Sequence, residues 1–345
     1  MPQLQGVGDS EAAAQLRRGL RQAWMPPFGW LLCLIAALLG SAWALRYARR
    51  EQVLDHPEER SNHAMPTPRG GGIAMVAVMA GVLAWAAHAH AAERLVLLAM
   101  LVGLVLVGVI GWLDDHRPIS ARIRLVVHVL AAVLVAIAMA ASGWPAWIPL
   151  LALVAIPVLV NIWNFMDGID GIAATQAMVW GLALLLWTPV MLAGGIGLAL
   201  AMACLGFLPF NFPRARVFMG DVGSGALGFL IAGSGLLLAR EQGGAALGSL
   251  CILAPFLVDA GLTLLRRMWR RERWWQAHSQ HAYQQLARAW GSHVTVTAIY
   301  LVLAASGAVL GWMLRFQETT VTISFILLWY IGIAALWGGA QFRAG

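Results

Sequence analysis

Five of the eight aspartates in this 345-residue chain fall in three short clusters, each at the edge of a long apolar run. Asp114 and Asp115 stand in GWLDDHRP, Asp167 and Asp170 in NIWNFMDGIDGIA, and Asp221 in NFPRARVFMGDVGSG. A carboxylate beside a bilayer is costly, so acidic patches at span ends mark a functional site. The surrounding glycines let backbone approach a ligand closely. Clustered carboxylates with oxygen-rich neighbours suit a hard divalent cation such as Mg²⁺. These residues together read as a metal-dependent active site at a membrane surface.

Each cluster has its own chemistry. Asp114 and Asp115 repel one another unless a cation or an arginine sits between them, and Arg117, Arg122 and Arg124 follow closely. The pair is either a solvated loop with its own counter-charges or a metal-binding or base pair beside phosphate-binding arginines. Asn164, Asp167 and Asp170 recur every three residues, which puts them on one side of a turn if the segment is helical. A helix cap needs only one such residue. From Asn211 to Ser224, the Gly-Asp-x-Gly-Ser pattern at a helix start presents backbone N–H groups as an anion site, or else Asp221 is itself the cap. Phe218 in that run is placed to stack on a base or to anchor at the interface. His278 and His281 are spaced to share a helical face, and phosphate contact is favoured over a zinc pair. Asp259 lies mid-span and must pair, protonate or face a polar cavity; Arg266, two turns on, is the candidate partner.

These groups must be positioned by apolar helices. Sixty per cent hydrophobic and eleven per cent charged residues, with mean hydropathy +0.74, exclude an ordinary soluble domain. A spanning helix needs about 20 mostly apolar residues. Runs near 27–46, 71–90, 94–113, 123–142, 146–164, 171–188, 190–209, 222–240, 245–265, 293–314 and 320–341 predict about eleven spans, or ten if the pair between 171 and 209 is counted differently. The fold expected is all-α, a polytopic membrane bundle. All 23 basic residues are arginines, and they concentrate in one alternating set of loops: 47–70, 114–122, 165–170, 210–221 and 266–292. The positive-inside bias puts that set in the cytoplasm and the N-terminus outside. It also explains the basic pI without nucleic-acid binding. Within the last loop Arg266, Arg267, Arg270, Arg271, Arg273, Trp274 and Trp275 read mainly as interface anchors. Residues 1–24 are polar and carry Arg17, Arg18 and Arg21 against the bias, so they are expected to be an extension, with translation starting near Met25 and residues 25–345 forming one transmembrane domain. Cys33, Cys204 and Cys251 all lie in apolar runs and read as small core residues.

The three clusters, in this order and setting, resemble the polyprenyl-phosphate N-acetylhexosamine-1-phosphate transferases, the superfamily of MraY and WecA. The likeness runs from about Arg60 to Gly291: a DD pair, then N-x-x-D-G-x-D-G, then N-x-P-x-x-x-x-F-M-G-D-x-G-S. It implies transfer of an N-acetylated aminosugar-1-phosphate from a UDP-sugar to undecaprenyl phosphate, releasing UMP, at the cytoplasmic face of the bacterial inner membrane. It also implies roles. Asp114 is the base toward the lipid phosphate with Asp115 and Asp170 beside it as catalytic groups. Asn164 and Asp167 line the nucleotide pocket, and Asn211 and Phe218 lie on its uridine side. Asp221 is the principal Mg²⁺ ligand, assisted by Asp170, with Mn²⁺ the alternative metal. Arg122 and His281 join as substrate-binding groups, and homodimerisation is compatible with the family.

Two departures narrow the branch. The histidine motif, H-x-H-H in the family, reads His281-Ala282-Tyr283-Gln284 here, and the first basic loop, ERSNHAMPTPRGGG, has no lysine. Both features look more like the WbpL-like transferases that initiate O-antigen synthesis than like MraY, whose phospho-muramoyl-pentapeptide transfer is the alternative reading. A polytopic transporter is the rival from another class, but transporters place acids near the midplane of internally repeated folds, and no repeat is visible here. A CDP-alcohol phosphotransferase would need D-G-x-x-A-R, whereas Asp167-Gly168 runs into Ile-Asp-Gly.

Overall fold

The computed structural model describes residues 25–55, 65–188, 191–272 and 278–344. The polar segment 1–24, Arg60, Arg273, Trp274 and Trp275 lie outside the described residues. Among the described residues the fold is twelve α-helices and one two-stranded ribbon. In chain order the helices are α1 Pro27–Arg50, α2 Ile73–Ala89, α3 Arg94–His116, α4 Ala121–Ala141, α5 Trp147–Phe165 and α6 Ile172–Trp187. There follow α7 Leu192–Asn211, α8 Gly220–Glu241, α9 Gly243–Trp269, α10 Ala282–Trp290, α11 His293–Leu314 and α12 Thr319–Ala344.

Every one of the eleven predicted spans is a helix. Nine, among the described residues, are long and apolar enough to cross a membrane; Ile73–Ala89 and Ile172–Trp187 are shorter. At 1.5 Å per residue those two measure roughly 25 Å, short of a hydrocarbon layer of about 30 Å. Most of α6 is buried within the bundle, so protein rather than lipid meets it along its length. The outer helices carry the opposite pattern. Leu31 and Leu39 on α1, Val126 and Ile137 on α4, and Leu328 and Ile331 on α12 are all exposed, an apolar surface fit for lipid. The protein is a multi-pass membrane bundle.

One helix was not anticipated. The segment 266–292 was expected to be a loop, but α9 runs on to Trp269 and α10 occupies Ala282–Trp290. Ala282, Tyr283, Leu286, Ala287 and Trp290 give α10 an apolar stripe at helical spacing, too short for a hydropathy scan to separate from a loop. Its start is closed by a capping box between His281 and Gln284, and Gly291 ends it in the left-handed conformation at φ 61°.

α8 is the axis of the bundle. It packs on α3 and α5 along its length and is buried almost throughout. At its N-terminus Gly223 meets Gly72, just before α2, so closely that a Cβ on either would strike the other's backbone. Gly111 of α3 stands equally close: a Cβ there would lie 2.5 Å from the Asp221 carbonyl. Gly206 serves a close helix contact. Its missing side chain lets α7 lie against the α1 backbone at Leu34 and Leu38.

Candidate active site

The basic loops meet at one end of the bundle, brought together by backbone hydrogen bonding. Leu54–Asp55 pairs antiparallel with Thr67–Pro68, and Arg69 N–H donates to Val53 O at 3.1 Å. The same stretch docks on the loop before α8: Phe218 N–H donates to Pro68 O at 2.7 Å, and Gly71 and Gly72 N–H donate to Phe218 O and Met219 O, each at 2.9 Å. Phe218 is thereby fixed through its main chain, its ring half-buried.

Asp114 and Asp115 end α3 and face different partners. Asp115 is buried, and both of its oxygens are used inside the protein. Oδ1 accepts from Asp221 N–H at 2.9 Å and Oδ2 from Val222 N–H at 3.2 Å, so Asp115 caps α8 from another helix. The predicted anion site at this helix start is filled by the chain's own carboxylate. Arg69 completes the arrangement, giving Nε and Nη2 to Asp115 Oδ1 at 2.9 and 2.6 Å. Gly220, at φ 75°, makes the turn into α8 so near the Asp115 carboxylate that an added Cβ would collide with it, a conformation and a clearance open to glycine. Asp114 instead accepts from Ile119 N–H at 2.6 Å and from Arg124 Nη1 at 2.9 Å.

Arg124 Nη1 also contacts Asp221 Oδ2, and Arg69 Nη2 lies 3.6 Å from Asp221 Oδ1. Two guanidiniums therefore hold Asp114, Asp115 and Asp221 together. Burial opposes the charge on Arg69, but Asp115, Asp221 and Asp55 outweigh it and hold its pKa above the ordinary value. Arg122, chosen from the sequence as the substrate-binding arginine, is exposed and makes no ion pair or side-chain hydrogen bond among the described residues. Arg122 and Arg124 are two residues apart on α4, so they point in different directions; Arg124 takes the inward one. His128, one turn further along the same face and buried, is the sequence signal that would have separated them.

The second cluster does not form a stripe, because α5 ends at Phe165 and residues 166–171 turn. Asn164 Nδ2 donates to Ser224 Oγ at 3.2 Å, joining α5 to α8. Asp170, expected as an assisting metal ligand beside Asp221, is engaged elsewhere. Oδ2 accepts from Ala215 N–H at 3.2 Å, Oδ1 lies 3.3 Å from His293 Nδ1, and its carbonyl accepts from Thr297 Oγ1 at 2.8 Å. Asn211 is buried and spends both ends of its amide on backbone, accepting from Gly171 N–H at 2.9 Å and donating to Val217 O at 3.0 Å. It ties the two acidic loops together.

Asp167 is the exception. Its carboxyl makes no hydrogen bond among the described residues, and it is surrounded by protein while keeping some solvent access. Burial, then the charges of Asp221, Asp115 and Asp170, push its pKa well above the ordinary carboxylate range. Among the described residues no three acidic, histidine or cysteine side chains are gathered as a ready cation cage.

His281 is buried, stacked on His278 with ring centroids 4.9 Å apart and facing Phe165 at 6.3 Å. Burial, then His281 and Arg267, lower the His278 pKa to about 4. Asp259 does not pair with Arg266, which instead contacts Gln341 and Gln280. Its partners are Tyr300, Thr263, the first N–H groups of α10 and the His281 imidazole, with Nδ1 3.6 Å from Oδ1.

Residues 97–239, which carry Asp114 through Asp221, match the profile of glycosyl transferase family 4. The chain is 30% identical to the decaprenyl-phosphate N-acetylglucosaminephosphotransferase of Mycobacterium tuberculosis over 309 residues, 76% of each chain. The chain belongs to the MraY/WecA superfamily. Other members of the superfamily show similar likeness. The probable undecaprenyl-phosphate N-acetylglucosaminyl 1-phosphate transferase of Bacillus subtilis is 28% identical over 79% of this chain and 80% of its own. The phospho-N-acetylmuramoyl-pentapeptide-transferase of Synechococcus sp. (strain JA-3-3Ab) is 31% identical over 87% and 95%.

Proposed function

We propose that the protein transfers an N-acetylated aminosugar-1-phosphate from a UDP-sugar to undecaprenyl phosphate at the cytoplasmic face of a bacterial inner membrane, as the initiating step of O-antigen or a related envelope polysaccharide. The observation that carries this reading is the cluster of Asp114, Asp115 and Asp221 bridged by Arg69 and Arg124, beside the Asp167 carboxyl, which makes no hydrogen bond among the described residues. Family membership supports the general reaction, sugar-1-phosphate transfer to a polyprenyl phosphate.

In the reaction a lipid phosphate oxygen attacks the β-phosphorus of the UDP-sugar. A new P–O bond forms, the bond from the β-phosphorus to the bridging oxygen breaks, and its electrons leave with UMP. The difficulty is electrostatic, because two anions must meet. Arg124 and Arg69 are the cations that draw phosphate oxygens into place. Asp114 is the base toward the lipid phosphate, a modest task because a phosphate monoester loses its second proton near pH 6. Asp115 holds Arg69 and the start of α8.

The donor set fits a hard divalent cation. Oxygen is the only donor type among these carboxylates, and the Asp167 carboxyl makes no hydrogen bond among the described residues. Asp221 and Asp167 would hold Mg²⁺, which when bound supplies neutralisation of the diphosphate. Asp221→Asn is expected to abolish UMP release from UDP-N-acetylglucosamine and undecaprenyl phosphate while the protein still inserts and purifies. Near-normal turnover with Mg²⁺ would remove Asp221 from this role. A panel of UDP-N-acetyl sugars that includes the muramoyl-pentapeptide donor separates the O-antigen reading from the MraY-type one.

A further inference from the structure

Asp259 is a buried carboxylate in α9 that the proposed reaction does not use, and its bonds lead to the active-site loop by two routes. Oδ1 accepts from Ala282 N–H at 2.8 Å and from Thr263 Oγ1 at 3.3 Å, and it faces His281 Nδ1 at 3.6 Å. Oδ2 accepts from Tyr283 N–H at 3.1 Å and from the Tyr300 hydroxyl at 2.6 Å. A carboxylate from one helix thus seals the first two N–H groups of α10, where the helix dipole favours negative charge. The same carboxylate holds α11 through Tyr300.

Both secured helices grip residues 166–171. From α10 the Tyr283 hydroxyl donates to Phe165 O at 2.9 Å, where α5 ends and the loop begins. That hydroxyl also presses on Gly168, where a Cβ would collide with it. From α11 Thr297 Oγ1 donates to Asp170 O at 2.8 Å, and His293 Nδ1 stands 3.3 Å from the Asp170 carboxylate. Thr297 lies three residues before Tyr300, on the same side of α11. The loop carrying Asp167 is therefore held at its start by α10 and at its end by α11, and Asp259 is the group bonded to both holders.

We infer that Asp259 is a positioning residue for Asp167: it touches no substrate and sets the place of that carboxyl through Tyr283 and Tyr300. The inference rests on the proposed transferase reading. It predicts that loosening the network weakens handling of the nucleotide sugar and leaves the lipid phosphate, on the Asp114 and Arg124 side, unaffected.

The test is steady-state UMP release by the purified full-length protein in detergent, with undecaprenyl phosphate and the UDP-sugar each varied. The variants are Asp259→Asn, Tyr283→Phe and their double. Tyr283→Phe keeps the ring and deletes only the hydroxyl that reaches Phe165, so it guards against a misfolded Asp259→Asn. Loss of one hydrogen bond in this route is expected to lower kcat/KM for the UDP-sugar about five- to tenfold. The KM for undecaprenyl phosphate should stay within about twofold, and the double variant should fall short of the product of the singles because the two residues share one route. A purely structural role would lower the active fraction and leave both KM values unchanged in every variant; that outcome overturns the inference, as do fully multiplicative effects. If the wild-type protein releases no UMP from any donor in the panel, the transferase reading itself fails, which is a distinguishable result.

Discussion

Asp115 and Asp114 are neighbours with different burdens, and asparagine at each position should separate them. The Asp115 carboxylate receives two backbone N–H groups of α8 and the Arg69 guanidinium, and its side chain is fully buried. An asparagine keeps one acceptor, and its NH₂ must face a donor. Breaking a buried pair by removing one partner costs about 3–5 kcal/mol. Arg69 is partly exposed and keeps Asp221 at 3.6 Å and Asp55 at 3.9 Å, so the lower end applies. We expect Asp115→Asn to cost about 3 kcal/mol, a fall of about 4 °C in melting temperature at about 2.1 cal/mol/K of unfolding entropy per residue. Asp114→Asn keeps an oxygen for Ile119 N–H and loses one bond to Arg124, which retains Asp221. That loss is about 1 kcal/mol. The assay is thermal unfolding in detergent beside UMP release, with both variants expected to lose activity. If Asp114→Asn melts lower than Asp115→Asn, or Asp115→Asn melts with the wild type, the division between cap and substrate-facing acid is wrong.

Arg124→Met should lower UMP release at least about a hundredfold, since it removes a preorganised cation from the reacting phosphates. Arg122→Met should stay within about threefold, as expected of an exposed side chain without partners among the described residues, and comparable losses at both positions would contradict the assignment. The pH dependence of stability offers a check at the rim. His278 has its pKa lowered from 6.5 to about 4, so the unfolded chain binds its proton first and stability from this group is lost as pH falls from about 6.5 toward 4. Melting curves across that window should show the decline, and His278→Gln should flatten it; an identical pH profile would exclude His278 as the source.

Hydropathy made the bundle legible because each span is a long local signal, and the arginine bias grouped the acidic loops. The structure confirms that those loops meet at one end, through the docking of residues 68–72 on 218–219. What the sequence concealed was direction and distance. Arg122 and Arg124 are alike in type and neighbourhood, and only the helix phase distinguishes them. Asp259 and Arg266 are near in sequence, yet the carboxylate is satisfied by Tyr300 and by the backbone of α10, a helix too short to announce itself. Asn164, Asp167 and Asp170 repeat at a helical interval but straddle a helix end, so each found a separate partner or none. Arg69 and His293 were passed over because a lone arginine after proline and a histidine at a helix start carry no motif of their own.

The crowding around the start of α8 bears on how such a protein can diversify. Gly72, Gly111, Gly220 and Gly223 leave no room for an added methyl group, so the element bearing Asp221 tolerates little drift. The rim is built differently: Pro213, Arg214 and Arg216 are exposed side chains on a loop fastened mainly through its backbone. Substitutions on that rim can accumulate residue by residue while the four glycines hold the start of α8, and Asp221 with it, in place.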